Sequence, residues 1–196
     1  MPLINYAKRE VTYKLVYYGT GLGGKTTNLK YIHSQTNPSC RGEMISLATE
    51  TERTLFFDFM PLDLTLTNGY KARVVLYTVH GQEEYDLSRK QILRGVDGLI
   101  FVADSSQTRL SANVDSLKNM FENLKYNRIK IEDTPWILQY NKRDLGDAAS
   151  IDRLENDLNH TGVPYFEAVA LEGLGVFATL KAAIKLMVNN TRAASP

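Results

Sequence analysis

Gly19-Thr20-Gly21-Leu22-Gly23-Gly24-Lys25-Thr26 follows the β-like run Lys14-Leu15-Val16-Tyr17-Tyr18 and leads into a segment, Lys25 to His33, suited to a helix. The stretch fits G-x-x-x-x-G-K-[ST] at every defined position, in the strand–turn–helix setting the pattern requires. Glycines let the backbone curl into a cradle of N–H donors, and the helix starting near Lys25 adds the positive end of its dipole. Lys25 can reach the outer phosphates of a nucleotide, and the Thr26 hydroxyl can ligate Mg²⁺. The expected phosphate contacts are Gly19, Gly21, Leu22, Gly23, Gly24, Lys25, Thr26 and Thr27.

Outward from this loop, apolar runs alternate with helix-length segments. Thr54–Phe59 and Tyr70–Val79 read as two strands joined at Asn68-Gly69, a dipeptide that favours a tight antiparallel hairpin. Leu99–Ala103 and Trp136–Tyr140 are apolar throughout, as central strands covered on both faces should be. Leu110, Val114, Leu117, Met120, Phe121 and Leu124 recur at helical spacing between them. A short strand over Tyr165–Val169 precedes a last helix striped by Val176, Phe177, Leu180, Ile184 and Met187. The pattern predicts a three-layer α/β fold of the P-loop NTPase type, forming one domain over residues 1–196. Its central sheet is mostly parallel with one antiparallel hairpin pair, and helices cover both faces. Residues 35–52 have weak periodicity and read as a long loop with a functional position after the first helix.

Composition narrows the classes. The 196 residues carry 23 Lys+Arg against 22 Asp+Glu, a net charge of +1, with 43% hydrophobic and 23% charged residues. That is ordinary globular usage and gives no broad positive field for nucleic acid, so no nucleic-acid partner is expected. The single cysteine, Cys40, leaves no disulfide framework. There is no signal-peptide core and no run of about 20 apolar residues, so no direct membrane insertion is expected and the chain reads as cytoplasmic.

A phosphate loop alone does not choose the nucleotide. Asn141-Lys142-Arg143-Asp144 stands directly after the strand Trp136–Tyr140, at the carboxyl end where open α/β sheets bind ligands. A carboxylate only accepts hydrogen bonds, and guanine presents two adjacent donors where adenine does not. Asp144 can therefore select guanine, Asn141 can brace the loop and touch the base, and the Lys142 stem can cover its face.

These residues resemble the Ras-like small GTPases over nearly the whole chain. The likeness is closer to one branch, the MglA-type bacterial GTPases of gliding motility and cell polarity. It is carried by Val16-Tyr17-Tyr18-Gly19, Gly24-Lys25-Thr26-Thr27-Asn28-Leu29-Lys30, Ser46-Leu47-Ala48-Thr49-Glu50, Glu52-Arg53-Thr54-Leu55-Phe56-Phe57-Asp58-Phe59 and Leu93-Arg94-Gly95-Val96-Asp97-Gly98. The resemblance implies a GTP/GDP switch with Mg²⁺ and weak hydrolysis. It also implies a Roadblock-fold activating partner of the MglB type, effectors in polarity or motility, and recruitment to a cell pole.

The resemblance assigns further roles. Thr78-Val79-His80-Gly81-Gln82 occupies the D-x-x-G-Q position, with the Gly81 N–H meeting the γ-phosphate and Gln82 orienting the attacking water. Thr54 becomes the switch threonine on Mg²⁺, with Thr49 and Thr51 as rivals, and Arg53 an arginine finger within the chain. Ala170, in Glu167-Ala168-Val169-Ala170, would offer its N–H to the guanine oxygen. Two positions depart from the pattern: His80 replaces the branch's usual proline, and Thr78 replaces the aspartate that supports Mg²⁺ through water. Asp58, acidic within an apolar run, is a candidate substitute, and an exposed edge position or a structural ion pair explains it equally well. A nucleotide-locked scaffold and a P-loop small-molecule kinase remain as other readings, although the kinase's arginine-rich lid has no counterpart here.

Overall fold

The computed structural model describes residues 2–48, 56–66, 69–81 and 85–193. Arg53, Thr54 and Gln82, with the rival threonines Thr49 and Thr51, lie outside the described residues. Strand β1 (Leu3–Asn5) leads into β2 (Glu10–Gly19), from which the sheet grows. Successive β2 side chains point to opposite faces. Leu15 and Tyr17 enter one apolar cluster, Val16 and Tyr18 the other, and all four are buried. A strand apolar on both faces needs a helical layer on each side, and it has them.

On one face lie α1 (Lys25–Gln35) and α5 (Val176–Ala193), whose Leu29, Ile32, Val176, Leu180 and Met187 pack with Leu15, Tyr17, Ile100 and Ile137. The other face carries α2 (Asp86–Leu93), α3 (Leu110–Tyr126) and α4 (Ile151–Leu158). Their Ile92, Leu117, Met120, Leu124 and Leu154 pack with Val16, Leu99, Phe101 and Leu138. The remaining strands are β3 (Ile45–Ala48), β4 (Phe56–Thr65), β5 (Lys71–Thr78), β6 (Gly98–Asp104), β7 (Trp136–Asn141) and β8 (Tyr165–Glu167), in the order β3-β4-β5-β2-β6-β7-β8. This is the three-layer α/β arrangement expected. The β2–β5, β2–β6, β6–β7 and β7–β8 pairs are parallel. No helix among the described residues is long and apolar enough to cross a membrane.

The expected hairpin is present: β4 and β5 pair antiparallel from Phe59↔Tyr77 to Thr65↔Lys71, and Gly69 turns the chain at φ 78°. Two further antiparallel pairs join it, β1–β2 and β3–β4. Strand β3 corrects the reading of residues 35–52 as loop. It has only 4 residues, too few for a period to register, and it forms because Ser46 and its neighbours find partners across β4. β4 also runs past the expected end at Phe59. Pro61 obscures that length, yet its carbonyl still accepts the Gly42 N–H at 2.9 Å. Helices α2 and α4 carry no sequence expectation; α4 starts where the Ser150 side chain accepts the Arg153 N–H at 3.3 Å.

One buried polar cluster ties the layers together beneath the phosphate loop. Gln139 on β7 accepts from Asn28 Nδ2 at 2.8 Å and donates to Asn28 Oδ1 and Thr179 Oγ1, each at 3.0 Å. Asn28 Nδ2 also reaches the Gly24 carbonyl at 2.9 Å, so α1, β7 and α5 share one network. Gln139→Leu keeps the volume but strands the Asn28 amide, at a cost of about 1–3 kcal/mol. Thermal unfolding followed by circular dichroism should show Tm lowered by about 2–10 °C; an unchanged Tm would mean the network contributes nothing net.

Candidate functional site

The loop between β2 and α1 is shaped by contacts that only glycine tolerates at two points. Gly19 has φ 133°, and a Cβ there would lie 2.1 Å from the Val102 carbonyl oxygen. Gly24 takes φ 102° at the N-cap of α1, and a Cβ would meet Asn141 Nδ2 at 2.1 Å. The α1 start has no side-chain cap and no acidic residue in its first turn. Its N–H groups and dipole therefore face the loop uncompensated, which suits an anion.

Lys25 folds back under the loop and donates to the Gly19 and Thr20 carbonyls at 2.8 and 2.6 Å, with 7% of its surface exposed. Burial above all, with the Arg89 charge adding to it and Asp58 opposing, lowers its pKa to about 7. An anion seated in the cradle favours the charged ammonium, so this buried lysine fits a phosphate group. Gly21, Leu22, Gly24, Lys25, Thr26 and Thr27 line one side of a cleft of about 430 Å³; Ser46, Phe57, Asp58, Thr78 and Gly81 help to form the rest.

Asp58 sits where that cleft meets the sheet. One carboxylate oxygen accepts from Thr26 Oγ1 at 2.6 Å and Thr78 Oγ1 at 3.0 Å, and the other accepts from Ser46 Oγ at 2.6 Å. The Asp58 N–H in turn donates to Thr78 Oγ1 at 2.9 Å. At 9% exposure, between β3 and β5, Asp58 is no exposed edge residue, and among the described residues it pairs with no cation. Hydroxyls, not charges, satisfy this carboxylate. Thr26 and Asp58 together offer hard oxygen atoms of the kind Mg²⁺ accepts. No cluster of three or more His, Cys, Asp or Glu stands among the described residues.

Gly81 closes the cleft from the β5 side. A Cβ on it would fall 2.1 Å from the Gly21 nitrogen, whereas a Cβ on Gly21 would find its nearest neighbour at 3.7 Å. The turn is held from behind by Arg89, buried on α2, which donates to the His80 carbonyl at 2.9 Å, and by the His80 ring lying 4.1 Å from that of Tyr85.

The base loop is joined to the phosphate loop through Asn141. Its Nδ2 donates to the Gly23 carbonyl at 2.8 Å, and its Oδ1 accepts the Ala170 N–H at 2.9 Å. Ala170 was expected to offer its N–H to the guanine oxygen; here that N–H is directed at Asn141. Lys142, at φ 65°, sends Nζ to Asp104 Oδ2 at 2.7 Å. Asp144 stands exposed in the following turn. Arg143 braces that turn from outside through Glu167 at 3.0 Å and the Ala149 carbonyl at 2.6 Å. Asp104 is a site residue that the sequence reading missed; its signal was a carboxylate ending an apolar strand.

The phosphate-loop residues, Asp58, Thr78, Gly81, Asn141, Lys142, Asp144 and Ala170 thus gather where the carboxyl ends of β2, β5, β7 and β8 lie and where β4 begins. Arg53, Thr54 and Gln82 lie outside the described residues. Comparison with known proteins agrees with this geometry. The mutual gliding-motility protein MglA of Myxococcus xanthus (strain DK1622) is 51% identical over 192 residues, covering 98% of each chain. Residues 14–189 match the Ras family. The chain belongs to the Ras family of small GTPases.

Proposed function

We propose that residues 1–196 form one guanine-nucleotide switch domain that binds GTP or GDP with Mg²⁺, hydrolyses GTP slowly, and is stimulated by a Roadblock-fold partner of the MglB type. The observation that carries this reading is the meeting of Lys25, Thr26 and Asp58 in one cleft, tied by Asn141 to the loop that bears Asp144. Asp144 accepts the two adjacent donors of guanine. The Lys142 stem covers the ring while Asp104 holds its ammonium, and Ala170 closes the base loop.

The backbone from Gly19 to Thr27 wraps the phosphates and Lys25 grips their charge. Thr26 and Thr54 hydroxyls hold Mg²⁺, with Asp58 acting through water in place of an aspartate at Thr78. When bound, the ion supplies positive charge to the phosphate oxygens. Gly81 offers an N–H to the γ-phosphate, Gln82 orients the water, and Arg53 meets the charge that grows in the transition state. The name of the M. xanthus relative concerns gliding motility. We extend that role to this chain, with control of cell polarity through nucleotide-dependent effectors, acting in the cytoplasm with recruitment to a pole. Thr78 favours one second reading, a scaffold locked on its nucleotide, because a neutral hydroxyl leaves the metal side less charged.

Single-turnover hydrolysis with and without the partner separates the two readings. Gln82→Ala and Arg53→Ala should keep GTP binding and lose partner-stimulated hydrolysis, Arg53→Ala by about 10³-fold. The double variant should lose little more, since both groups act on one transition state. Wild-type stimulated rates in Arg53→Ala would remove the internal finger; no stimulated turnover in the unsubstituted protein would favour the scaffold.

Asp58→Asn keeps the shape of the cleft and removes its carboxylate charge. The Mg²⁺ concentration needed for half-maximal retention of nucleotide should rise about 10–100-fold, as for other groups acting through a metal's first ligands. An unchanged Mg²⁺ dependence would leave Asp58 as no more than an acceptor for the surrounding hydroxyls.

A further inference from the structure

Arg109 precedes α3, at the end of the short 3-10 turn Gln107–Arg109. Its Nη2 donates to the Gly21 carbonyl at 3.0 Å, across 88 residues of chain. Gly21 and Gly81 form a wall shared by two clefts. On one side is the phosphate cleft, with Leu22, Gly24 and Lys25; on the other is a cleft of about 550 Å³ against α3, lined by Arg109, Ala112, Asp115 and Ser116 among others. Arg109 holds the Gly21 carbonyl toward the second.

The Gly21 carbonyl and the Leu22 N–H belong to one planar trans peptide, so they point in opposite directions. Holding the oxygen toward α3 turns the N–H toward the phosphate side. The backbone at Leu22 does not hold this arrangement by itself. Leu22 has φ 63°, a region that L side chains rarely adopt, and its side chain is 91% exposed, so no packing secures it. A guanidinium on the carbonyl supplies the missing restraint, and by polarising the peptide it makes the N–H a stronger donor.

We propose that Arg109 is a positioning residue for the nucleotide site: by clamping the Gly21–Leu22 peptide it aims the Leu22 N–H into the phosphate cradle and slows nucleotide release. This rests on the guanine-nucleotide reading of the cleft. Arg109 acts through a backbone amide, as Asn141 acts through the Gly23 carbonyl. The P-loop is therefore held at Gly21 by the turn that precedes α3 and at Gly23 by β7.

The test is a double-mutant cycle read by release of a fluorescent GDP under excess Mg²⁺. Arg109→Ala should speed release about tenfold, the scale of losing a hydrogen bond from a charged donor. Arg109→Lys, which keeps a charged donor, should fall between. Leu22→Gly makes the left-handed conformation natural, so removing Arg109 in that background should speed release about twofold or less. Unchanged release in Arg109→Ala overturns the proposal. The same acceleration in the wild-type and Leu22→Gly backgrounds overturns it too, because Arg109 would then act without the strained peptide. If the unsubstituted protein held no GDP at all, the proposed function would fall, and this inference with it.

Discussion

The side-chain amide of Asn141 is the contact on which the rest of the site depends. Its two ends face different loops: the amine holds the Gly23 carbonyl, and the oxygen holds the Ala170 N–H. Because Asn141 is buried at the end of a strand with neighbours on both sides, neither bond can be exchanged for water without loss. The close approach also explains why position 24 is glycine: any Cβ would collide with the amide. Two residues earlier on the same strand face, Gln139 ties α1 and α5 beneath the loop. Strand β7 thus fixes the phosphate loop from below and the base loop from the side. In the proposed reading, one strand sets the distance between phosphates and base.

In the proposed reading, the metal side of the site keeps the family pattern while its residues move. With Thr78 at the end of β5, a neutral hydroxyl stands where most of the superfamily has a carboxylate. The negative charge lies on β4 instead, at Asp58, and Thr78 both donates to it and accepts from its backbone. Burying that carboxylate would be costly without partners. The three hydroxyls of Thr26, Ser46 and Thr78 meet the need without neutralising the charge. Its charge stays directed at the phosphate loop.

Much of this was legible in the sequence because the decisive features are local. The glycine pattern, the lysine and threonine after it, and the Asn-Lys-x-Asp group all lie in short stretches whose chemistry follows from residue type. The apolar strands β6 and β7 and the helices α3 and α5 are long enough for their periods to show. What escaped depends on contacts made far along the chain. β3 forms only against β4, and α2 is defined by Arg89 and Ile92 meeting the switch turn and the core rather than by its own pattern. Asp104 gains meaning from Lys142, 38 residues away, and Arg109 from Gly21, 88 residues away. Asp58 was visible as an anomaly, an acid in an aromatic run. Folding supplied the hydroxyls that explain it.

In the proposed reading, Asp144, held by the Asn141 frame beside the phosphate cradle, makes this a guanine site. Competition binding against a fluorescent GDP, using GDP, XDP and ADP on the wild type and on Asp144→Asn, tests it most directly. The wild type should be displaced by GDP and ignore ADP, and Asp144→Asn should lose its preference for GDP and gain XDP, whose extra carbonyl accepts from the new amide. Equal displacement of the wild type by ADP, or a purine preference left unchanged by Asp144→Asn, would contradict that reading.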